Sequence, residues 1–221
     1  MMSAARAKLR VAFQGERGAF SEEAAVALLG ARIELVPRPT FEALFAVVAE
    51  QAADYVVAPI ENTLAGPVER VGELLQTNRL HVVAEVRLHI VQSLIGCAGA
   101  TLADVRRVES HPVALRQCAR FLAAHPQIEP IEADDTAASV RRIVARGDPT
   151  CAAIASARAA RLYGGHILRP HVADSAENFT RFVLLAAAMP MNAAHTANAA
   201  RTGNFADYKM TARNLRSDTS S

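Results

Sequence analysis

Strand-length apolar runs and helix-period stretches take turns along this chain, from Arg10 to Leu185. Residues 10–13, 33–36, 55–60, 105–108, 128–131, 152–155 and 179–185 read as short strands, and 167–168 begin another. Between them lie helical patterns with end signals. Ser21 opens one, with Glu22 and Glu23 in its first turn and Gly30 at its end. Thr40 caps a second, whose Phe41, Leu44, Phe45 and Val48 share a face. Pro67 is placed to begin a third and Pro112 a fourth. Asp135 or Thr136 caps a fifth, and Ser156 caps a sixth that Gly164 and Gly165 end. Such alternation predicts an α/β fold with parallel sheets covered by helices. Residues 80–95 read as long extended chain passing from one unit to another. The apolar period stops near residue 186, so 186–221 is expected to be a polar, disordered tail.

The chain has 221 residues, with 24 Lys+Arg against 22 Asp+Glu, a net charge of +2. This balance argues against nucleic acid as the partner. No apolar run is long enough to cross a bilayer, and polar residues 14–16 interrupt any signal-peptide pattern. Three cysteines, Cys97, Cys118 and Cys151, show no metal-ligand spacing and suit a reducing compartment. The expectation is a cytoplasmic protein without a bound metal.

In open α/β sheets ligands gather at loops leading from strand ends into helices. Four such loops are polar or Gly-rich: 14–21, 59–67, 109–112 and 134–137. Each brings hydroxyl or amide groups and free N–H groups to a helix start, a cradle for carboxylates. The ordinary reading of each alone is a helix cap. The first loop lacks the third glycine of a dinucleotide fingerprint, and no Walker loop or nucleophile elbow is present. In the last strand, Thr180 and Phe182 alternate with Phe179 and Arg181. Arg181 reads either as a solvated edge residue or as a planar fork for a carboxylate.

Five segments, in order and at matching spacing, resemble the prephenate dehydratase domain. They are 11–15 through 20–25, Pro59-Ile60-Glu61-Asn62-Thr63, Ser110-His111-Pro112 through Gln117-Cys118, 152–156 through Tyr163-Gly164, and Asn178-Phe179-Thr180-Arg181-Phe182. The resemblance covers about residues 9–188. It implies two α/β lobes with mostly parallel sheets, similar to type II periplasmic binding proteins, and an active site in the cleft between them. Residues 1–185 would form the catalytic domain. Its first lobe would take 9–83 plus 175–185, its second 86–172, with hinge crossings near Glu85 and Asp174.

The implied reaction converts prephenate to phenylpyruvate in phenylalanine biosynthesis, a carbon–oxygen lyase step. The ring loses CO2 and water and becomes aromatic, so no cofactor is required. Thr180 would be the catalytic residue, bonded to the leaving hydroxyl. Asn62, Thr63, Ser110, Thr136 and Ser21 would add polar lining, with Gln117 supporting Ser110. Arg181 would clamp a carboxylate, and Phe20 and Phe182 would form apolar wall. His111 is either an acid or a structural helix start. Thr63 stands where the family commonly has serine, and Gln92 where it often has histidine. The expected assembly is a homodimer or homotetramer. The usual phenylalanine-binding ACT domain is expected to be absent, because only 36 residues follow Leu185. Arogenate dehydratase is the nearest rival, and a non-catalytic acid-binding module of the same fold is another.

Overall fold

The computed structural model describes residues 8–187. The expected tail beyond 187 lies outside the described residues. Two separate sheets divide the strands. The first contains β1 (Leu9–Gln14), β2 (Ile33–Arg38), β3 (Tyr55–Asn62), β4 (Gly66–Pro67), β5 (His81–His89) and β11 (Phe179–Ala186). Its order is β2-β1-β3-β11-β5, with β4 paired to β3. The second contains β6 (Ser93–Gly96), β7 (Arg107–Ser110), β8 (Glu129–Glu132), β9 (Cys151–Ala155) and β10 (His166–Arg169), in the order β10-β6-β9-β7-β8.

The sheets are mixed. The β1–β2, β1–β3, β7–β8 and β7–β9 pairs are parallel, each made by a helical crossover. The other pairings are antiparallel. They arise where the chain arrives from the opposite sheet, as β6 and β11 do, or turns back on itself, as β4 does. The crossings lie at residues 90–92 and 170–178. They bond to each other: Ile90 N donates to Asn178 O at 2.8 Å, and Val172 N to Gln92 O at 2.9 Å. Glu85, placed at a crossing from the sequence, instead lies inside β5, where it opposes Val183 of β11. The apolar alternation of β5 continues through Leu88, so its pairing does too.

The helices follow the local chemistry with three exceptions. Phe20–Leu29 forms α1, whose N-cap is Ala19, so Ser21 lies in its first turn and caps nothing. Thr40 caps α2 (Phe41–Ala49) by accepting the Ala43 N–H. Pro67 belongs to β4, and α3 (Glu69–Thr77) begins after Val68. Pro112 starts α4 (Pro112–Arg116) after His111, but the expected continuous helix breaks into α4 and α5 (Ala119–Ala123) at Gln117 and Cys118. Asp135 caps α6 (Thr136–Arg146), and Ser156 caps α7 (Ala157–Tyr163).

One buried cluster joins the two halves: Phe13, Ala24 and Leu28 pack in the same core as Val140, Ile143 and Ala159. Loop 15–18 is pressed into α6 and α7. A Cβ at Gly18 would lie 2.9 Å from the Ala159 Cα, a backbone clash only glycine avoids. Around it, Ser156 Oγ donates to Gly18 O at 2.8 Å and Tyr163 OH to Arg17 O at 2.9 Å. Arg141 forks onto Glu16 at 2.8 Å, and Arg158 reaches Glu22 at 2.6 Å. The first Gly-rich loop is thus largely a clasp between the halves.

Candidate active site

Between the two sheets lies a cavity of about 450 Å³, lined from both sides. Thr180 and Phe182 of β11, Asn62 at the end of β3, and Phe20 and Ser21 of α1 come from the first half. His111, Arg116 and Gln117 around α4 and Thr136 at the start of α6 come from the second.

Thr180 reaches the cavity because β11 alternates: Thr180 and Phe182 face inward and are buried, and Arg181 faces away. A carboxamide and hydroxyl network fixes it. Asn62 Nδ2 donates to Thr180 Oγ1 at 2.9 Å, to Asn178 Oδ1 at 2.8 Å and to Phe179 O at 3.1 Å. Asn62 Oδ1 in turn accepts from Leu64 N, Ala65 N and Gln117 Nε2, the last at 3.3 Å. Gln117 Oε1 accepts from Asn178 Nδ2 at 2.9 Å. Since Thr180 Oγ1 is used as an acceptor, its own hydrogen is left to point at a group in the cavity. Asn178 is fully buried and holds Asn62 and Gln117 together across the second crossing. Its role was not assigned from the sequence, although it stands beside the Thr-Arg-Phe run.

His111 Nδ1 accepts the Val113 N–H at 3.2 Å as the cap of α4. The neutral ring therefore carries its hydrogen on Nε2. Burial pushes its pKa below the ordinary value, opposed by the nearby Asp135 charge and assisted by Arg116. At neutral pH the ring is a neutral hydrogen-bond donor.

Three expected lining residues stand elsewhere. Ser110 is 0% exposed, and its hydroxyl donates to Ile154 O at 2.6 Å. The β7–β9 pairing ends at Glu109 and Ala153, so the next carbonyl lacks a ladder partner and Ser110 supplies one. The hydroxyl is committed there, and Gln117 supports Asn62, not Ser110. Thr63 is exposed at the outer edge: its Oγ1 donates to Glu177 O and accepts from Phe179 N, both at 2.9 Å, tying down the start of β11. Arg181 lies on the opposite face of the sheet, 3.3 Å from Glu61 and 3.8 Å from Glu85. Alternation forbids it from sharing the cavity with Thr180 while the strand stays regular.

Gln14, Gln92, Arg116 and Asp134 also line the cavity, without a site role expected from the sequence. Gln14 ends β1 and Arg116 ends α4. Asp134 lies before α6, and Gln92 in the first crossing is buried with Oε1 unpartnered. Gln14 and Asp134 gave no signal beyond their place in strand-end loops, and Arg116 none beyond its place in the helix that follows one. Among the described residues no cluster of three His, Cys, Asp or Glu could hold a metal ion. No helix there is long and apolar enough to cross a membrane. All three cysteines are free and buried, and burial pushes the Cys118 thiol up to about 12.

A two-sheet α/β protein with a donor-lined cleft between its halves is the class this geometry defines. The family model described as Prephenate dehydratase matches residues 11–190, and the chain belongs to that family. Arogenate dehydratase/prephenate dehydratase 1, chloroplastic, of Arabidopsis thaliana is 41% identical over 179 residues, 81% of this chain and 45% of that protein. The chain thus spans less than half the length of this relative. The structure of the prephenate dehydratase of Arthrobacter aurescens in complex with L-Phe is 28% identical, with a TM-score of 0.74. It is matched over 83% of this chain and 61% of that one. The structure of GqqA, described as a novel type of quorum quenching acylase, is 33% identical, with a TM-score of 0.73 over 82% of this chain and 65% of its own.

Proposed function

We propose that this chain is a prephenate dehydratase, catalysing the decarboxylating dehydration of prephenate to phenylpyruvate. The observation that carries this reading is the inward-facing Thr180 hydroxyl, held as an acceptor by Asn62 so that its hydrogen is offered to the cavity. The C–C bond to the ring carboxylate breaks, releasing CO2, and its electron pair moves into the ring π system toward the carbon that bears the hydroxyl, so that the ring becomes aromatic as that group leaves. The C–O bond to the hydroxyl then yields its pair to oxygen, which takes one proton and leaves as water. Gain of aromaticity drives the step, so the protein needs to orient, desolvate and stabilise charge. Thr180 bonds the departing oxygen, and the neutral His111 Nε2–H is a second donor for an anionic group in the same cavity. Threonine is a weak acid, so Thr180 stabilises the developing oxygen charge and the free proton comes from solvent.

A second reading, arogenate dehydratase, is favoured by the names of the plant relatives. It keeps the same chemistry with an ammonium in place of the keto group. Acylase chemistry, named for one similar structure, would need an activated nucleophile. Among the described residues no lining hydroxyl bonds to the His111 ring, whose Nδ1 is occupied by Val113 N. We also propose, on the family resemblance, a homodimer or homotetramer in the cytoplasm, although the Arabidopsis relative is named chloroplastic.

Purified chain supplied with prephenate and, separately, arogenate tests the assignment. Phenylpyruvate formation from prephenate at the higher kcat/KM supports it. Turnover of arogenate alone selects the second reading, and turnover of neither rejects both.

A further inference from the structure

The substrate proposed above is a dianion, and the residue expected to bind its carboxylate, Arg181, faces the other side of the sheet between Glu61 and Glu85. Among the described residues the cavity has one guanidinium in its lining, that of Arg116. We infer that Arg116 binds the carboxylate of the substrate side chain, the one retained in the product. This inference rests on the dehydratase reading and names the group that reads the substrate's charge.

Three observations carry it. Arg116 forms no hydrogen bond or ion pair with any described residue, whereas Arg17, Arg141, Arg142, Arg146, Arg158 and Arg181 are all paired to carboxylates. It is the last residue of α4, directly before Gln117, whose amide is bonded to Asn62 and Asn178. The guanidinium therefore projects from backbone anchored to the network that orients Thr180. The remaining charges in the lining, among the described residues, are Asp134 and Asp135. Asp135 is occupied as the α6 cap by Ala138 N at 2.7 Å and approached by Glu16 N at 3.3 Å. Without Arg116 the described residues of the cleft would offer two carboxylates and no full cation to a dianion, since the His111 ring is neutral at pH 7.

The chemistry decides which carboxylate is held. A guanidinium on the ring carboxylate would stabilise charge that must flow out of that group, and so would oppose the loss of CO2. The side-chain carboxylate keeps its charge throughout. A cation bound there contributes equally before and during reaction, which lowers KM and leaves kcat alone.

The test is steady-state kinetics with prephenate together with calorimetric binding, on the full chain and on Arg116→Gln, Arg116→Lys and Arg181→Gln. Expected for Arg116→Gln is a rise in KM and dissociation constant of about 10- to 100-fold, the range for a charge-assisted hydrogen bond. Its kcat should stay within about threefold, and added salt should raise KM less than in the parent, because one screened charge is gone. Arg116→Lys should fall between the two, keeping the charge without the fork. Arg116 is exposed and unbonded, so its thermal midpoint should match the parent, which shows that folding is intact. An unchanged KM in Arg116→Gln, or a rise confined to Arg181→Gln, overturns the inference. A parent chain that binds prephenate through Arg116 but does not turn it over overturns the dehydratase reading and keeps this one. A parent that neither binds nor reacts overturns both.

Discussion

Thr180, Arg181 and Phe182 are neighbours in sequence and do different jobs, because strand geometry sends alternate side chains to opposite faces. The phase conflict between Thr180 and Arg181 was visible in the sequence, and the structure resolves it in favour of the threonine. Which face was the cleft was not visible, because that depends on pairing with Asn62 some 118 residues away. Ser110 shows the converse. Its place before a helix reads as a ligand-facing hydroxyl, but the register of β7 against β9 decides its partner. Replacing Ser110 with alanine leaves Ile154 O buried without a donor and should cost about 1–3 kcal/mol of stability, measured by urea unfolding. KM for prephenate should stay within about twofold if the residue acts through the strand alone.

At the level of elements, alternation and end signals made most strands and the caps at Thr40 and Ser156 readable, since those depend on residues close in sequence. Pro67 departs from the expected helix start because a competing local structure, a short hairpin, takes it. Gly66, at φ 82°, turns the chain so that Gly66 and Pro67 pair with Asn62 and Glu61. The resulting hairpin puts Asn62 Oδ1 against the N–H groups of Leu64 and Ala65. The α6 start serves two ends at once, because Asp135 caps the helix and receives Glu16 N from the other half. Asp135→Ala should lower stability by about 0.5–2 kcal/mol through the lost cap. Thr136, one residue further on, would shift with the frayed turn, so KM for prephenate should rise as well. A KM equal to the parent's would separate the cap from the cleft.

Across the whole molecule, the α/β character of the fold was legible and the firmness with which its two sheets are joined was not. The shared core and the Glu16–Arg141 and Glu22–Arg158 pairs combine residues more than a hundred positions apart. These pairs give the clasp a pH dependence whose direction follows from the shifts. Bonding to Arg141 holds the Glu16 carboxyl below its ordinary value of 4.5. Burial of Glu22, 1% exposed, is the largest influence and raises its pKa, but Arg17, the Gly18 N–H and Arg158 together bring it below 4.5. A carboxyl depressed in the folded state adds stability above its unfolded pKa and loses it as pH falls through the folded one. His111, depressed by burial, binds its proton less readily when folded, so it too withdraws stability as pH falls below its ordinary 6.5. The thermal midpoint should therefore decline gently from about pH 6.5 downward and steeply below about pH 4.5. A His111→Asn variant should lose the gentle limb and keep the steep one.

Turnover of prephenate at saturation by Thr180→Val, compared with the parent chain, bears most directly on the cleft hydroxyl. Valine keeps the shape and the β11 packing and removes only the oxygen. A fall in kcat of about 10²-fold or more, with the thermal midpoint within a few degrees, is expected if that hydroxyl stabilises the departing oxygen. A variant retaining kcat within about twofold would show that Thr180 takes no part in the reaction.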